Sequence, residues 1–221
     1  MISWQNIDTV LLDMDGTLLD LHYDNTLWNQ LLPQRLSEVR NQPLHQAAAD
    51  LTDHMAQTRN GIDFYCLDYW SRFTGLDIPA LHLELTQMIR YRPGAQAFLT
   101  RLGEAGIRRI LVTNAHRGSL RVKDEHSNIS AYLDLCISCH DFGAPKESDA
   151  FWSAFAAAHP FDPQRTLFID DTATVLDAAA RFGIAHLLMV DQPDSARPTR
   201  LSLPYPALAD FAAIMPDSLH P

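Results

Sequence analysis

Two aspartates one residue apart, Asp13 and Asp15, end the short apolar run Val10-Leu11-Leu12 and are followed by Gly16 and Thr17. A second acidic pair, Asp170 and Asp171, ends Leu167-Phe168-Ile169 in the same way. Carboxylates this close repel, and both members of a pair ionise only if positive charge lies between them. Oxygen ligands of this kind suit a hard cation, Mg2+ above others. A cation held there attracts phosphate. Asp13, ionised, could then attack phosphorus and form an aspartyl-phosphate, and Asp15 could protonate the leaving oxygen. Asp171 would complete a metal shell with Asp13 and the Asp15 carbonyl. Asp170 could bind the metal or orient its waters and a nearby lysine.

Two further positions fit this chemistry. Leu111-Val112-Thr113-Asn114 ends an apolar run on a hydroxyl. Thr113 can donate to a phosphoryl oxygen, and the backbone N–H of Asn114 can add a second bond. Lys146 lies in the turn Gly143-Ala144-Pro145-Lys146-Glu147, and the chain holds only two lysines, Lys123 and Lys146, against fifteen arginines. A compact ammonium there can neutralise both the attacking carboxylate and the phosphate. Each feature also has a plainer reading. Asp-x-Asp can cap a turn, a threonine can simply end a strand, a lysine can be solvated, and Asp170 to Thr172 can cap the next helix.

The elements must bring these points together. Apolar runs at 8–13, 109–113, 133–138, 166–170 and 186–190 read as buried strands. Helical patterns at 93–104, 117–126, 148–159 and 173–182 alternate with them. That alternation implies an α/β fold with a doubly wound, Rossmann-like parallel sheet, in which chemistry collects outside the carboxyl ends of the strands. Between the first two strands the pattern is helical, at 25–37, 44–58, 62–73 and 79–89. A block of this length is too long for a loop. It predicts an all-α cap domain over residues 20–91, inserted into a core made of 1–19 and 92–221. The hinges fall near 18–21 and 91–94. Residues 192–206 read as a long loop and 207–214 as a terminal helix.

Taken in order, Asp-x-Asp-Gly-Thr, the strand-ending Thr113, Lys146 and the strand-ending Asp170-Asp171 resemble the four motifs of the haloacid dehalogenase-like hydrolases. The helical block resembles that family's C1-type cap. The resemblance implies Mg2+-dependent phosphate transfer through an aspartyl-phosphate. The fourth motif is of the Asp-Asp type. Val175 stands where the other common pattern has an acid, which leaves Asp177 as a helix surface residue. Over almost the whole chain the sequence is similar to the bacterial GMP/IMP nucleotidases, including the segment Phe64-Tyr65-Cys66-Leu67-Asp68-Tyr69-Trp70. The implied substrate is a purine nucleoside 5′-monophosphate. A small sugar phosphate or phosphoglycolate is the alternative, handled by a phosphatase or a phosphomutase. A non-catalytic phosphate-binding scaffold would be expected to have lost a motif residue, and a dehalogenase needs neither Mg2+ nor an acid at position 15. A receiver-type module places its acids before Thr and Lys, unlike this chain.

Selectivity would come from the cap. Tyr23, Trp28, Phe64, Tyr65, Tyr69 and Trp70 could stack on a base, with Asn25, Arg59 and Asn60 on its edge, although the spacing of Tyr65, Tyr69 and Phe73 favours packing. His22 and His116 stand near the motifs and read as bystanders.

Composition narrows the partners. A net charge of -10 argues against a nucleic acid polymer. No apolar run approaches a membrane span, and the first residues lack the pattern of a signal peptide. The expectation is a cytoplasmic enzyme acting on a small phosphate monoester. Three cysteines fit reduced thiols. Cys136-x-x-Cys139-His140 formally matches a haem attachment site but falls on a strand. A zinc site there would need a second ligand pair, which Cys66 alone does not supply.

Overall fold

The computed structural model describes residues 2–59 and 61–216. Six parallel strands form one sheet in the order β3-β2-β1-β4-β5-β6. They are β1 (Thr9–Leu12), β2 (Arg108–Thr113), β3 (Leu135–Ser138), β4 (Thr166–Asp170), β5 (His186–Val190) and β6 (Ala207–Leu208). β1 is central, with Leu12 in register with Leu111 on one side and Ile169 on the other. Side chains alternate between the two faces of the sheet. Val10 and Leu12 join one cluster with Phe98, Leu99 and Phe211, whereas Leu11 joins Phe151, Trp152, Phe155 and Leu176 on the other face. Covered on both faces, the strands can be apolar throughout. After β3 the chain crosses to the far side of β1, so the strand order reverses next to β1 and opens a crevice at the carboxyl ends.

Nine α-helices are present among the described residues. Five of them, α1 (His22–Thr26), α2 (Leu32–Arg40), α3 (Leu44–Thr58), α4 (Leu67–Thr74) and α5 (Ile78–Leu83), lie between β1 and β2. The other four, α6 (Ala95–Glu104), α7 (Arg117–Ser127), α8 (Asp149–Ala158) and α9 (Ala173–Phe182), alternate with the later strands. The helical insertion buries its own cluster, Leu32, Leu36, Leu51, Leu67, Trp70 and Ile78. Tyr69 and Phe73 pack against that cluster, as their spacing indicated, whereas Tyr65, which shares the spacing, does not. The connections out and back run side by side: Asp20 N–H donates to the Arg90 carbonyl, and Arg92 N–H to that of Leu18.

Several expected bounds shift. The helix read at 207–214 is instead β6 followed by a single 3-10 turn, Phe211–Ile214. The segment is flanked by Pro206 and Pro216, and its first residues pair with a strand instead of opening a helix. The free edge of β5 takes up its backbone groups, through Met189 N–H to the Pro206 carbonyl and Asp191 N–H to that of Leu208. The helix read at 62–73 is broken at Cys66 into a 3-10 turn, Ile62–Tyr65, and α4. That read at 79–89 stops at Leu83 and resumes only as the 3-10 turn Thr86–Met88. Between α1 and α2 the helix widens into a π segment, Leu27–Leu31, a local distortion frequent at functional sites. No described helix is long and apolar enough to cross a membrane.

Candidate active site

The carboxyl end of β1 delivers Asp13, and that of β4 delivers Asp170 and Asp171. Between them stands Lys146. Its Nζ donates to Asp13 Oδ1 at 2.5 Å, to Asp170 Oδ2 at 2.8 Å and to the Val112 carbonyl at 3.1 Å. All three charged groups are buried. Asn114 fixes the turn that carries the lysine: its Oδ1 accepts from Lys146 N–H at 2.8 Å, and its Nδ2 donates to Glu147 at 2.9 Å. The indole of Trp152 donates to the Lys146 carbonyl at 2.7 Å. Sequence and packing thus aim an otherwise flexible ammonium at two carboxylates.

Asp13, Asp170 and Asp171 each present an oxygen within 4.8 Å of the others. Burial pushes the Asp13 carboxyl above its ordinary range; Lys146 pulls it down, and the neighbouring Asp170 and Asp15 push it further up. Burial likewise raises Asp170 and Asp171, each to about 6. Three buried carboxylates facing one another make a hard, oxygen-only donor set, and its chemistry fits Mg2+ rather than a softer ion. Gly16 permits the close approach. Its φ is +84°, and a Cβ there would lie 3.0 Å from the Asp171 carboxyl carbon.

Asp15 is not part of that cluster. Its carboxylate accepts from Lys123 at 2.6 Å, and the same ammonium reaches Asp24 at 2.7 Å. Lys123 comes from the middle of α7 and Asp24 from α1 of the insertion. Both lysines of the chain are therefore buried in ion pairs with carboxylates at this sheet edge. Burial pushes Asp24 up to about 7, with the Asp15 charge adding to it and Lys123 opposing.

A cavity of about 500 Å³ opens over these groups, within the roughly 300–1,000 Å³ of small-molecule sites. Asp13, Asp15, Thr113, Asn114, Lys146 and Asp171 line its floor. Thr113 Oγ1 accepts from Ala115 N–H at 3.0 Å, which leaves its proton free. The insertion supplies the opposite wall. Trp28, Phe64, Tyr65 and Trp70 reach the cavity, together with Asn25 and Arg59, whereas Tyr23 and Tyr69 do not line it. Asn60 lies outside the described residues. Tyr65 also clasps the core, donating to Glu147 at 2.8 Å. Tyr23 instead donates to the His82 carbonyl, and burial holds the His82 imidazole neutral, with its pKa down to about 3.

The catalytic, phosphate-binding and metal residues expected from the sequence, Asp13, Asp15, Thr113, Asn114, Lys146, Asp170 and Asp171, all lie at this sheet edge. Lys123, Asp24, Arg200 and the Tyr65–Glu147 contact were not expected. Arg200, from the loop after β5, donates to the Asp171 carbonyl at 2.6 Å and to its carboxylate at 3.2 Å. The scarcity of lysine, used for Lys146, is the one sequence signal that could also have singled out Lys123. Asp177 is exposed on α9, as read, and accepts from Tyr205. His22 faces Asp194 at 3.3 Å, and His116 caps α7.

The sequence pattern of the haloacid dehalogenase-like hydrolases matches residues 7–183. The GMP/IMP nucleotidase YrfG of Escherichia coli (strain K12) is 43% identical over 215 residues, 97% of this chain and 97% of that protein. Among solved structures, a HAD phosphatase from Thermococcus onnurineus superposes with a TM-score of 0.77 at 17% identity, covering 94% of this chain and 96% of that one. The L-2-haloacid dehalogenase of Xanthobacter autotrophicus gives a TM-score of 0.64 at 14% identity, covering 94% and 96%.

Proposed function

The chain belongs to the haloacid dehalogenase-like hydrolases, and from that premise we propose that this phosphoric monoester hydrolase acts through an aspartyl-phosphate on purine nucleoside 5′-monophosphates, GMP and IMP first. The observation that carries the chemistry is Lys146 held between Asp13 and Asp170 on the floor of the cavity. The observation that carries the substrate class is the 43% identity to a GMP/IMP nucleotidase along nearly the full length of both chains.

In this reading an Asp13 oxygen bonds to phosphorus as the bond from phosphorus to the ester oxygen breaks. Asp15 gives its proton to the departing nucleoside oxygen. Asp15 then takes a proton from water, whose oxygen attacks phosphorus and releases inorganic phosphate and the Asp13 carboxylate. Lys146 offsets the negative charge of nucleophile and phosphoryl group, and Thr113 and Asn114 bind the phosphoryl oxygens. Lys123, shared with Asp24, fixes the direction of Asp15. Asp13, Asp171, the Asp15 carbonyl and Asp170 would hold Mg2+, which when bound supplies charge neutralisation to the phosphoryl oxygens.

Residues 20–91 act as a cap domain over a core of 1–19 and 92–221. The cap excludes water and selects the leaving group. Trp28, Phe64 and Tyr65 stack on the base, and Asn25 and Arg59 meet its edge. The substrate is a small metabolite and not a nucleic acid polymer, consistent with the acidic net charge, and the protein works in the cytoplasm. The test is kcat/KM across GMP, IMP, AMP, UMP, phosphoglycolate and hexose phosphates. GMP and IMP are expected to lead. A sugar phosphate or phosphoglycolate ahead by tenfold or more would reject the nucleotidase assignment while leaving the phosphatase intact.

Two further outcomes follow from individual residues. Asp15→Asn should lower turnover by roughly 10²- to 10⁴-fold on nucleotides, the usual scale of general acid–base catalysis. With 4-nitrophenyl phosphate, whose leaving group needs little protonation, the loss in the first step should shrink. Equal losses in the first step on both substrates, read from kcat/KM or from the rate at which the leaving group is released in a single turnover, would remove Asp15 from the acid role.

The second outcome concerns metal and pH. The unfolded chain titrates its carboxylates near 4, whereas Asp170 and Asp171 titrate at about 6 when folded. The folded state therefore binds these protons more tightly. Their contribution to stability is fully present below about pH 4 and is lost as pH rises through 6. Mg2+ compensates only the ionised forms. Its upward shift of Tm should be larger at pH 7.5 than at pH 5, and chelation should abolish activity. Equal Mg2+ shifts at both pH values, or full turnover in excess EDTA, would contradict this.

A further inference from the structure

Three side chains distant in sequence meet outside the carboxylate cluster. Cys66 stands in the insertion just before α4, His116 caps α7, and His140 follows β3. Each offers a ligand atom within 4.8 Å of the other two. The imidazoles of His116 and His140 meet edge to face with centroids 4.9 Å apart. His140 Nε2 is buried and has no hydrogen-bond partner among the described residues. A buried nitrogen without a partner costs stability that a ligand would restore.

We propose that Cys66, His116 and His140 form a second metal site, for Zn2+ or a cation of similar softness, that ties the helical insertion to the core. One thiolate and two imidazoles make a donor set that selects such a cation over Mg2+. Three protein ligands leave the fourth tetrahedral position open. All three residues are half-buried, so the ion can exchange with solvent. His116 also lines the substrate cavity, which sets the two sites side by side. Of the Cys-x-x-Cys-His stretch only His140 takes part. Cys139 is buried, with its Sγ directed at the Asn114 carbonyl at 3.3 Å. The missing ligands come from Cys66 and His116, which the fold supplies from elsewhere.

Binding has a proton balance. Cys66 releases its thiol proton to solvent as the sulfur–metal bond forms. His116 Nδ1 accepts from Gly118 N–H at 3.1 Å. Ligation through Nδ1 uses that lone pair, and ligation through Nε2 moves the ring proton onto Nδ1. Either way the Gly118 bond is given up, so metal loading should also speed amide exchange at Gly118.

Co2+ is the probe, titrated into the full-length protein under excess Mg2+ to occupy the oxygen-only cluster. One equivalent should give a thiolate-to-cobalt charge-transfer band, and Zn2+ should displace it. Cys66→Ser, nearly isosteric, should lose the band. It should weaken Zn2+ binding by more than the roughly 10- to 100-fold that loss of a residue supporting a metal ligand costs. His140→Gln should also weaken binding, whereas Cys136→Ser should keep both band and affinity. Absence of the band from the unsubstituted protein would overturn the proposal, as would equal Zn2+ affinity in Cys66→Ser. Neither readout uses phosphatase activity, so the result is independent of the proposed reaction.

Discussion

Asp13→Asn is expected to fold normally and to lose nearly all turnover, by about 10⁴- to 10⁶-fold, the range in which loss of a nucleophile acts in covalent enzymes. An amide matches the carboxylate in size but cannot attack phosphorus. The fold should persist because Lys146 retains Asp170 at 2.8 Å and the Val112 carbonyl at 3.1 Å, and because Asp13 N–H still donates to the Ile169 carbonyl. The check is kcat on GMP beside a melting curve. Substantial turnover in a folded Asp13→Asn protein would dismiss the covalent route.

Lys146→Met should damage stability as well as activity. The ammonium is buried between two carboxylates that are themselves buried. Removing one partner from a buried ion pair typically costs about 3–5 kcal/mol, because the charge left behind has no compensation. At roughly 2–4 °C per kcal/mol for a chain of this size, Tm should fall by about 6–20 °C in metal-free buffer at pH 7.5. The loss should be smaller at pH 5, where Asp13 and Asp170 can protonate and the charge problem recedes. Turnover should collapse at either pH. An unchanged Tm at pH 7.5 would mean that the buried pair is not what the geometry indicates.

The core was legible because its signals are local. Val10-Leu11-Leu12 and Leu167-Phe168-Ile169 are continuous apolar runs, and each stops on the acids it delivers to the site. Parallel strands covered on both faces leave that mark in sequence. Lys146 was legible because Gly143 and Pro145 shape a turn around it. Lys123 was not. It sits within α7, where a lysine ordinarily points to water, and its partners Asp15 and Asp24 lie about a hundred residues away. Only the packing of the insertion against the core creates that pair. The same holds for Tyr65 with Glu147 and for Arg200 with Asp171, contacts that no spacing rule encodes. The end of the chain misled for a different reason. Ala207 to Ile214 has helical composition, but an open strand edge on β5 and flanking prolines outweigh intrinsic preference.

The most direct measurement is acid quench of the enzyme a few milliseconds after mixing with GMP and Mg2+, followed by mass analysis of its peptides. A phosphoryl group is expected on the peptide containing Asp13 and absent from Asp13→Asn; with 4-nitrophenyl phosphate in place of GMP it should accumulate in Asp15→Asn, where formation needs little acid but water is activated poorly. Turnover with no phosphorylated peptide in either the unsubstituted or the Asp15→Asn protein, or phosphate on a residue other than Asp13, would contradict an aspartyl-phosphate at that position.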